Sequence, residues 1–105
     1  MANEDISRKE LYAKGLKNIT QSDWINAAEK LNIFISRSES GTSHYLTLRD
    51  PIRVDFNGLK KIITTVMPHS YKQANQSIFK SILKYGKDNN ISEDDIWRAL
   101  KLLKP

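Results

Sequence analysis

Apolar residues recur at helical spacing in three parts of the chain, with polar residues on the opposite face. Thr20 and Ser92 each stand three positions before an acid, the pattern of a capped helix start, and Gly86 is the predicted end of the second helix. Residues 1–19 carry a weaker pattern and are expected to form an appended arm or a short helix. The predicted helices cover residues 20–32, 72–85 and 92–103.

Between the first two helices the pattern changes to β-branched and alternating residues, which predicts strands. Asp50-Pro51 is expected to end the second strand, residues 52–56 form either a further strand or an extended segment, and Asn57-Gly58 predicts a tight turn. Helices on one face of an antiparallel sheet make an α+β two-layer sandwich: helix, three-stranded sheet or a four-stranded one, helix, with added terminal helices. The predicted strands cover residues 32–37, 45–49 and 59–67.

Composition narrows the class of protein. A chain of 105 residues supports one domain with one core. It has no cysteine, which excludes disulfides, thiol catalysis and the common zinc sites. No apolar run is long enough for a membrane helix, and the acidic start Met-Ala-Asn-Glu-Asp is unlike a secretory signal, so we expect a cytoplasmic protein with no membrane association.

The chain is basic, with a net charge of +5 that suits a polyanionic partner. Its charge is unevenly distributed, because residues 57–87 contain no acid. This pattern is typical either of a phosphate-binding face or of a lysine-rich solvated surface. The lysines of the acid-free segment are Lys60, Lys61, Lys72, Lys80, Lys84 and Lys87.

The candidate chemistry centres on Gly41-Thr42-Ser43-His44, between the first two predicted strands. Such a segment is either a polar hairpin loop or a loop that presents an imidazole at the border of the sheet. The chain has one other histidine, His69, in the predicted connection from strand to helix. Neither histidine has an acid or cysteine at ligand spacing, so no metal site is expected.

The order helix, strand, Gly-x-Ser-His loop, strand, strand and lysine-bearing helix resembles the HicA toxins of bacterial HicA/HicB toxin-antitoxin modules. The resemblance is most specific at Gly41, Ser43 and His44 and in Thr65-Val66-Met67-Pro68-His69, and it covers residues 20–86 as a HicA-like core. Residues 1–19, the long segment 50–61 and the helix over 92–103 depart from the family pattern.

The resemblance implies a fold like that of a double-stranded-RNA-binding domain. It also implies an endoribonuclease that cleaves mRNA without a metal or other cofactor, and a HicB-like antitoxin that covers the histidine. His44 is then the general base or general acid, since its unperturbed pKa of about 6.5 suits proton transfer at neutral pH. Gly41 would let the backbone approach a phosphate, and Ser43 would donate a hydrogen bond to it, or both serve the turn alone. His69 is a second acid-base group or a turn residue.

The expected RNA contacts are the cationic side chains Lys72, Lys80, Lys84, Arg37 and Arg49. Four aromatic residues are assigned to the core, namely Trp24, Phe34, Phe79 and Trp97. Tyr45 and Tyr71 are the aromatic residues best placed to meet a base.

Two other functions fit the same pattern. One is a noncatalytic RNA- or DNA-binding module on the same fold, which grips the backbone by shape. The other is an interaction domain whose basic face docks on an acidic protein. The sequence leaves the oligomeric state, the cleavage sequence and the second acid-base group open.

Overall fold

The computed structural model describes residues 7–37, 45–68 and 71–103. Its described elements are four α-helices, one short 3₁₀ helix and three strands, which confirms the α+β class. None of the described helices is long and apolar enough to cross a membrane. In chain order the elements are α1 (Arg8–Lys14), the 3₁₀ helix (Gly15–Asn18), α2 (Gln21–Lys30), β1 (Phe34–Arg37), β2 (Leu46–Val54), β3 (Lys60–Val66), α3 (Lys72–Lys87) and α4 (Glu93–Ala99).

The three described strands form an antiparallel sheet in the order β1-β2-β3. Contacts of α2 with β1 and of α3 with β3 place the helices on one face of the sheet, and α4 packs on α2 and α3. The opposite face carries no described helix, so it is the outer face of the sheet. The chain therefore has the predicted helix, three strands, helix order with helices added at both ends.

The predicted break at Asp50-Pro51 is wrong, because β2 continues through Pro51 to Val54. Residues 52–54 therefore extend β2 and do not form a fourth strand. Two features of the pairing make this possible. The β1 ladder ends at the pair of Phe34 with Arg49, so the missing N–H of Pro51 costs no hydrogen bond to β1. The β2 to β3 register is irregular between Arg49 and Val54, so no regular pair with β3 includes Pro51.

Two helices begin at the predicted capping residues, and α3 begins at the predicted Lys72. The Thr20 hydroxyl accepts a hydrogen bond from the backbone N–H of Asp23, whose carboxylate accepts one from the N–H of Thr20, and Ser92 and Asp95 repeat this capping box before α4. Each box satisfies backbone donors that a helix start leaves without partners.

The predicted helix ends are less accurate. α3 continues through Gly86 to Lys87, and Gly86 is buried inside it. A Cβ at Gly86 would lie 2.7 Å from the carbonyl oxygen of Ile91, so the glycine allows a close approach of the following loop. α4 ends at Ala99, earlier than predicted, since Lys101 has a φ of 64° and the N–H of Leu102 bonds to the carbonyl of Trp97.

The core lies between the helices and the inner face of the sheet. Trp24 and Trp97 are fully buried and Phe79 is 2% exposed, so their assignment to the core is confirmed. The assignment of Phe34 to the core is wrong, because its side chain is 44% exposed. Successive residues of a strand face opposite sides of the sheet. Because Ile33 is buried on the inner side, Phe34 lies on the outer side.

The start of the chain belongs to this core. Within residues 1–19 the described part contains α1 and the 3₁₀ helix, whose Leu11 and Leu16 are buried. Asn75 of α3 ties this part to the rest. Its amide nitrogen donates to the carbonyls of Leu16 and Ile19 at 2.8 and 2.9 Å, and its oxygen accepts from the indole N–H of Trp24 at 2.9 Å.

Candidate nucleic-acid interface

The four residues assigned to catalysis or phosphate contact by the loop and connection motifs lie outside the described residues. These are Gly41, Ser43, His44 and His69. The structure does describe the residues on either side of them, and these show where the two segments leave the sheet. Arg37, Leu46 and Val66 form one row across β1, β2 and β3. Both segments that carry a histidine therefore leave the described chain at the same end of the sheet.

Two helix starts lie at this sheet end. The Gln21 side chain at the start of α2 donates to the carbonyl of Val66 at 3.1 Å. α3 begins at Lys72, a short distance along the chain from Val66, and Tyr71 is its N-cap residue and is 64% exposed. The first-turn N–H groups of a helix favour anions, so the end of the sheet combines a phosphate-attracting helix start with the cations of Arg37 and Lys72.

A second basic surface runs along α3. Lys80, Lys84 and Lys87 are exposed at spacings of four and three residues, which puts them on one side of the helix, and we call these three residues the lysine stripe. The ammonium group of Lys80 lies 5.5 Å from the ring centroid of Tyr12 in α1. Ion pairs found among the described residues use Arg8, Arg53 and Arg98, and none uses the lysine stripe. Its charges therefore remain available to a phosphate backbone.

An open cleft of about 390 Å³ lies between the C-terminal half of α3 and the β2–β3 hairpin. Lys84 lines it from the helix and Lys61 from β3, so the cleft brings together two of the lysines of the acid-free segment. Lys61 was not among the predicted contacts. Alternation counted from the buried Val66 would place Lys61 on the outer side of β3, so its place in the cleft depends on the irregular β2–β3 register, which the sequence does not reveal.

Asp50 and Arg53 form the fixed electrostatic pair of this cleft. The Asp50 carboxylate accepts from the N–H groups of Ile52 and Arg53 and from the Arg53 guanidinium, at 2.9 to 3.0 Å. Burial raises the pKa of Asp50, but these hydrogen bonds and the positive charge of Arg53 outweigh it and hold the pKa below its ordinary value. The pKa of Tyr85 is raised by burial and by the charge of Asp50, against an opposing effect of Arg53.

The predicted cationic contacts do not form one cluster. Arg37 and Lys72 belong to the sheet end, and Lys80 and Lys84 belong to the lysine stripe. Arg49 is on the outer face of the sheet, where one guanidinium nitrogen donates to the carbonyl of Lys60 at 2.7 Å. No group of three His, Asp or Glu side chains within residues 7–37, 45–68 and 71–103 is arranged to hold a metal ion.

Comparisons with protein-family models, with curated proteins and with solved structures find no match to this chain. The structure itself is that of an α+β domain with basic surfaces at one sheet end and along α3.

Proposed function

We propose that this chain is a HicA-like toxin, an endoribonuclease that cleaves mRNA without a metal ion and uses His44 as general base or general acid. The observation that carries the proposal is the convergence at one end of the sheet. Arg37, the start of α3 and the chain flanking both histidines all lie there. The helix, three strands, helix order is the one the HicA resemblance implies.

RNA can be cleaved without a metal because it contains its own nucleophile. The 2′-oxygen forms a bond to phosphorus as it loses its proton to a base, and the bond from phosphorus to the 5′-oxygen breaks as an acid protonates the leaving oxygen. The products are a 2′,3′-cyclic phosphate and a 5′-hydroxyl. Extra negative charge on the phosphoryl oxygens requires nearby cations or N–H donors, which Arg37, Lys72 and the first turn of α3 would supply.

Substrate binding would extend from this centre along the lysine stripe. Each phosphate neutralised by a lysine releases counterions and makes the affinity more dependent on salt. Lys80→Gln/Lys84→Gln is expected to weaken RNA binding and to reduce the slope of log K against log salt by about 1.5, from about 0.7 to 0.9 for each contact. Lys14→Gln/Lys17→Gln is the matched control, because it removes the same charge from exposed residues of α1 and the 3₁₀ helix.

The test of catalysis is His44→Ala in the full chain, assayed on labelled mRNA in the presence of EDTA. We expect cleavage to fall by about a hundred- to ten-thousand-fold, the usual contribution of a general acid or base, with RNA affinity retained. The variant should also lose its ability to stop growth on expression. Undiminished cleavage by a folded His44→Ala protein would overturn the assignment.

A noncatalytic RNA- or DNA-binding module is the second candidate function. The observation that favours it is the spread of Arg49, Lys80 and Lys84 over surfaces away from the sheet end, since a binding module requires no single reacting centre. Binding of RNA with no cleavage by the wild-type chain would support this alternative. RNA affinity that does not fall with added salt would instead argue against a phosphate-binding face, as expected if the basic surface serves a protein partner. Under the toxin proposal, the protein partner is a HicB-like antitoxin that covers His44.

A further inference from the structure

The outer face of the sheet carries a row of side chains that no described helix covers. Phe34 of β1 pairs across from Arg49 of β2, and Arg49 pairs across from Ile62 of β3. Directly paired residues of antiparallel strands project to the same side, so the side chains of Phe34 and Arg49 are neighbours, and Ile62 follows at a point where the β2–β3 register is irregular. Phe34 is 44% exposed and Ile62 is 56% exposed. We call Phe34, Arg49, Ile62 and Lys60 the outer platform.

The platform is cationic as well as apolar. The Lys60 ammonium lies over the Phe34 ring, 5.1 Å from its centroid. Arg49 uses one nitrogen to bond the Lys60 carbonyl at 2.7 Å, which leaves further N–H donors of its guanidinium available. The only acid within the three strands is Asp50, which is buried and faces the cleft. The platform therefore has an exposed aromatic ring beside two cations, with no carboxylate from the strands near them. This combination is complementary to a nucleotide, whose base can stack on the ring while its phosphate meets the cations.

We propose that the outer platform binds an unpaired stretch of RNA, with a base stacked on Phe34 and the adjoining phosphates on Arg49 and Lys60. The proposal rests on RNA being the ligand of this chain and names the part of the substrate that this face holds. Stacking on an aromatic side chain requires a base whose face is open, which a continuous duplex does not offer. Lys60 would then leave the ring for a phosphate.

Charge argues against a second copy of the chain as the occupant. A two-fold contact through this face brings identical patches together, so Arg49 and Lys60 would meet their own counterparts. Like charges placed opposite each other at an interface disfavour association. A polyanion with flat apolar groups can instead stack on the Phe34 ring and place its negative charges beside Arg49 and Lys60.

The experiment measures binding of a fluorescent 2′-O-methyl oligonucleotide, which cannot be cleaved because its 2′-oxygen is blocked. The single strand and a duplex of the same sequence are titrated separately. Phe34→Leu is expected to weaken single-strand binding about tenfold, the effect of one lost stack, while duplex binding stays unchanged. Phe34→Trp should restore the affinity, since it restores an aromatic ring.

Phe56→Leu is the matched control, because Phe56 is 98% exposed at the hairpin turn and is not part of the platform. Equal affinities of Phe34→Leu and wild type for the single strand would overturn the inference, and so would an equal loss on the duplex. A wild-type dimer in sedimentation that Phe34→Leu dissociates would assign the face to self-association instead. Cleavage by His44→Ala is measured in a separate experiment. A negative result for Phe34→Leu binding therefore does not contradict the proposed ribonuclease, and undiminished cleavage by His44→Ala does not contradict RNA binding by the platform.

Discussion

The helix layer and the outer part of the β2–β3 hairpin, residues 52–59, place their large apolar side chains differently. In the helix layer Trp24, Phe79 and Trp97 are buried, and no buried side-chain nitrogen or oxygen of the described residues lacks a hydrogen-bond partner. In residues 52–59, by contrast, large apolar side chains project into solvent, although Leu46, Leu48 and Val66 at the other end of the same two strands are buried. Ile52 is 82% exposed, Val54 and Leu59 are each 57% exposed and Phe56 is 98% exposed.

The difference follows from where β2 loses its neighbours. Among the described residues, β2 has no partner on the β1 side beyond Arg49, and only β3 continues beside it. Local polar contacts hold the hairpin instead, as Asp55 accepts hydrogen bonds from the N–H groups of Asn57 and Leu59 and Gly58 adopts a φ of 80°. Burial is therefore concentrated in the helix layer and the part of the sheet that it covers, and residues 52–59 contribute little to it.

The largest effect is expected at Asn75. Asn75→Leu would leave the carbonyls of Leu16 and Ile19 and the indole N–H of Trp24 buried without their partner. Each such loss costs about 1 to 3 kcal/mol, so we expect the free energy of unfolding in urea to fall by about 3 to 5 kcal/mol. Gln73→Leu, at an exposed position of the same helix, is the control and should change it by less than about 0.5 kcal/mol. Equal losses in the two variants would contradict the role of Asn75.

Gly86 tests the packing between α3 and the loop that leads to α4. Gly86→Ala gains about 1 kcal/mol of helix propensity, but its Cβ would stand 2.7 Å from the backbone oxygen of Ile91, which cannot move alone. Overpacking of this kind costs about 1 to 3 kcal/mol, so the net result should be a lower melting temperature. Ser77→Ala, on the exposed side of α3, also gains helix propensity but makes no such contact, so it should melt at or slightly above the wild-type temperature. A more stable Gly86→Ala protein would show that Ile91 is not held against the helix.

Asp50 offers a smaller, pH-dependent test at the base of the hairpin. Its pKa is lowered in the folded protein, so the carboxylate stabilises the fold above its unfolded pKa, and this stabilisation is lost as pH falls through the folded pKa. Asp50→Asn should lower the free energy of unfolding at pH 7 by about 1 kcal/mol and reduce the loss between pH 5 and acid conditions, as measured by urea titrations. Asp94 and Asp95 also have lowered pKa values, so they account for the pH dependence of the free energy of unfolding that remains in Asp50→Asn. An unchanged slope in Asp50→Asn would refute this assignment.

Local sequence signals predicted most of the fold. The hydroxyl and acid pairs at Thr20 and Ser92 located two helix starts because a capping box involves only neighbouring residues. Pro51 was misread, since its tolerance depends on where β1 ends, which is a property of strand pairing. Phe34 was misassigned although its alternation with Ile33 contained the answer. Asn75 gave a signal as well, because it lies three and four positions before the buried Ile78 and Phe79.

The candidate site was predictable in parts and not as a whole. Charge distribution indicated Lys80 and Lys84 as candidates, and the resemblance to HicA toxins suggested the roles that we propose for the histidines. The convergence at the sheet end depends on the register that aligns Arg37, Leu46 and Val66, and no local pattern encodes a register. The place of Arg49 in the outer platform also depends on strand register. From the sequence alone, Arg49 is one more basic residue, because its cross-strand neighbours are not known.

The smallest effect on stability is expected at Phe56, which represents the exposed outer part of the hairpin in the comparison with the buried helix layer. Phe79 and Phe56 are the same residue type, but Phe79 is 2% exposed and stacks on Trp97 at 4.1 Å between ring centroids, whereas Phe56 is 98% exposed. Truncating a buried Phe to Ala costs about 3 to 5 kcal/mol. Phe56→Ser should therefore leave the urea midpoint within about 0.5 kcal/mol of wild type, because there is almost no burial to lose. A loss above 1 kcal/mol that grows with protein concentration would mean that the hairpin tip is covered by another copy of the chain, and the contrast between the two regions would then hold only for the monomer.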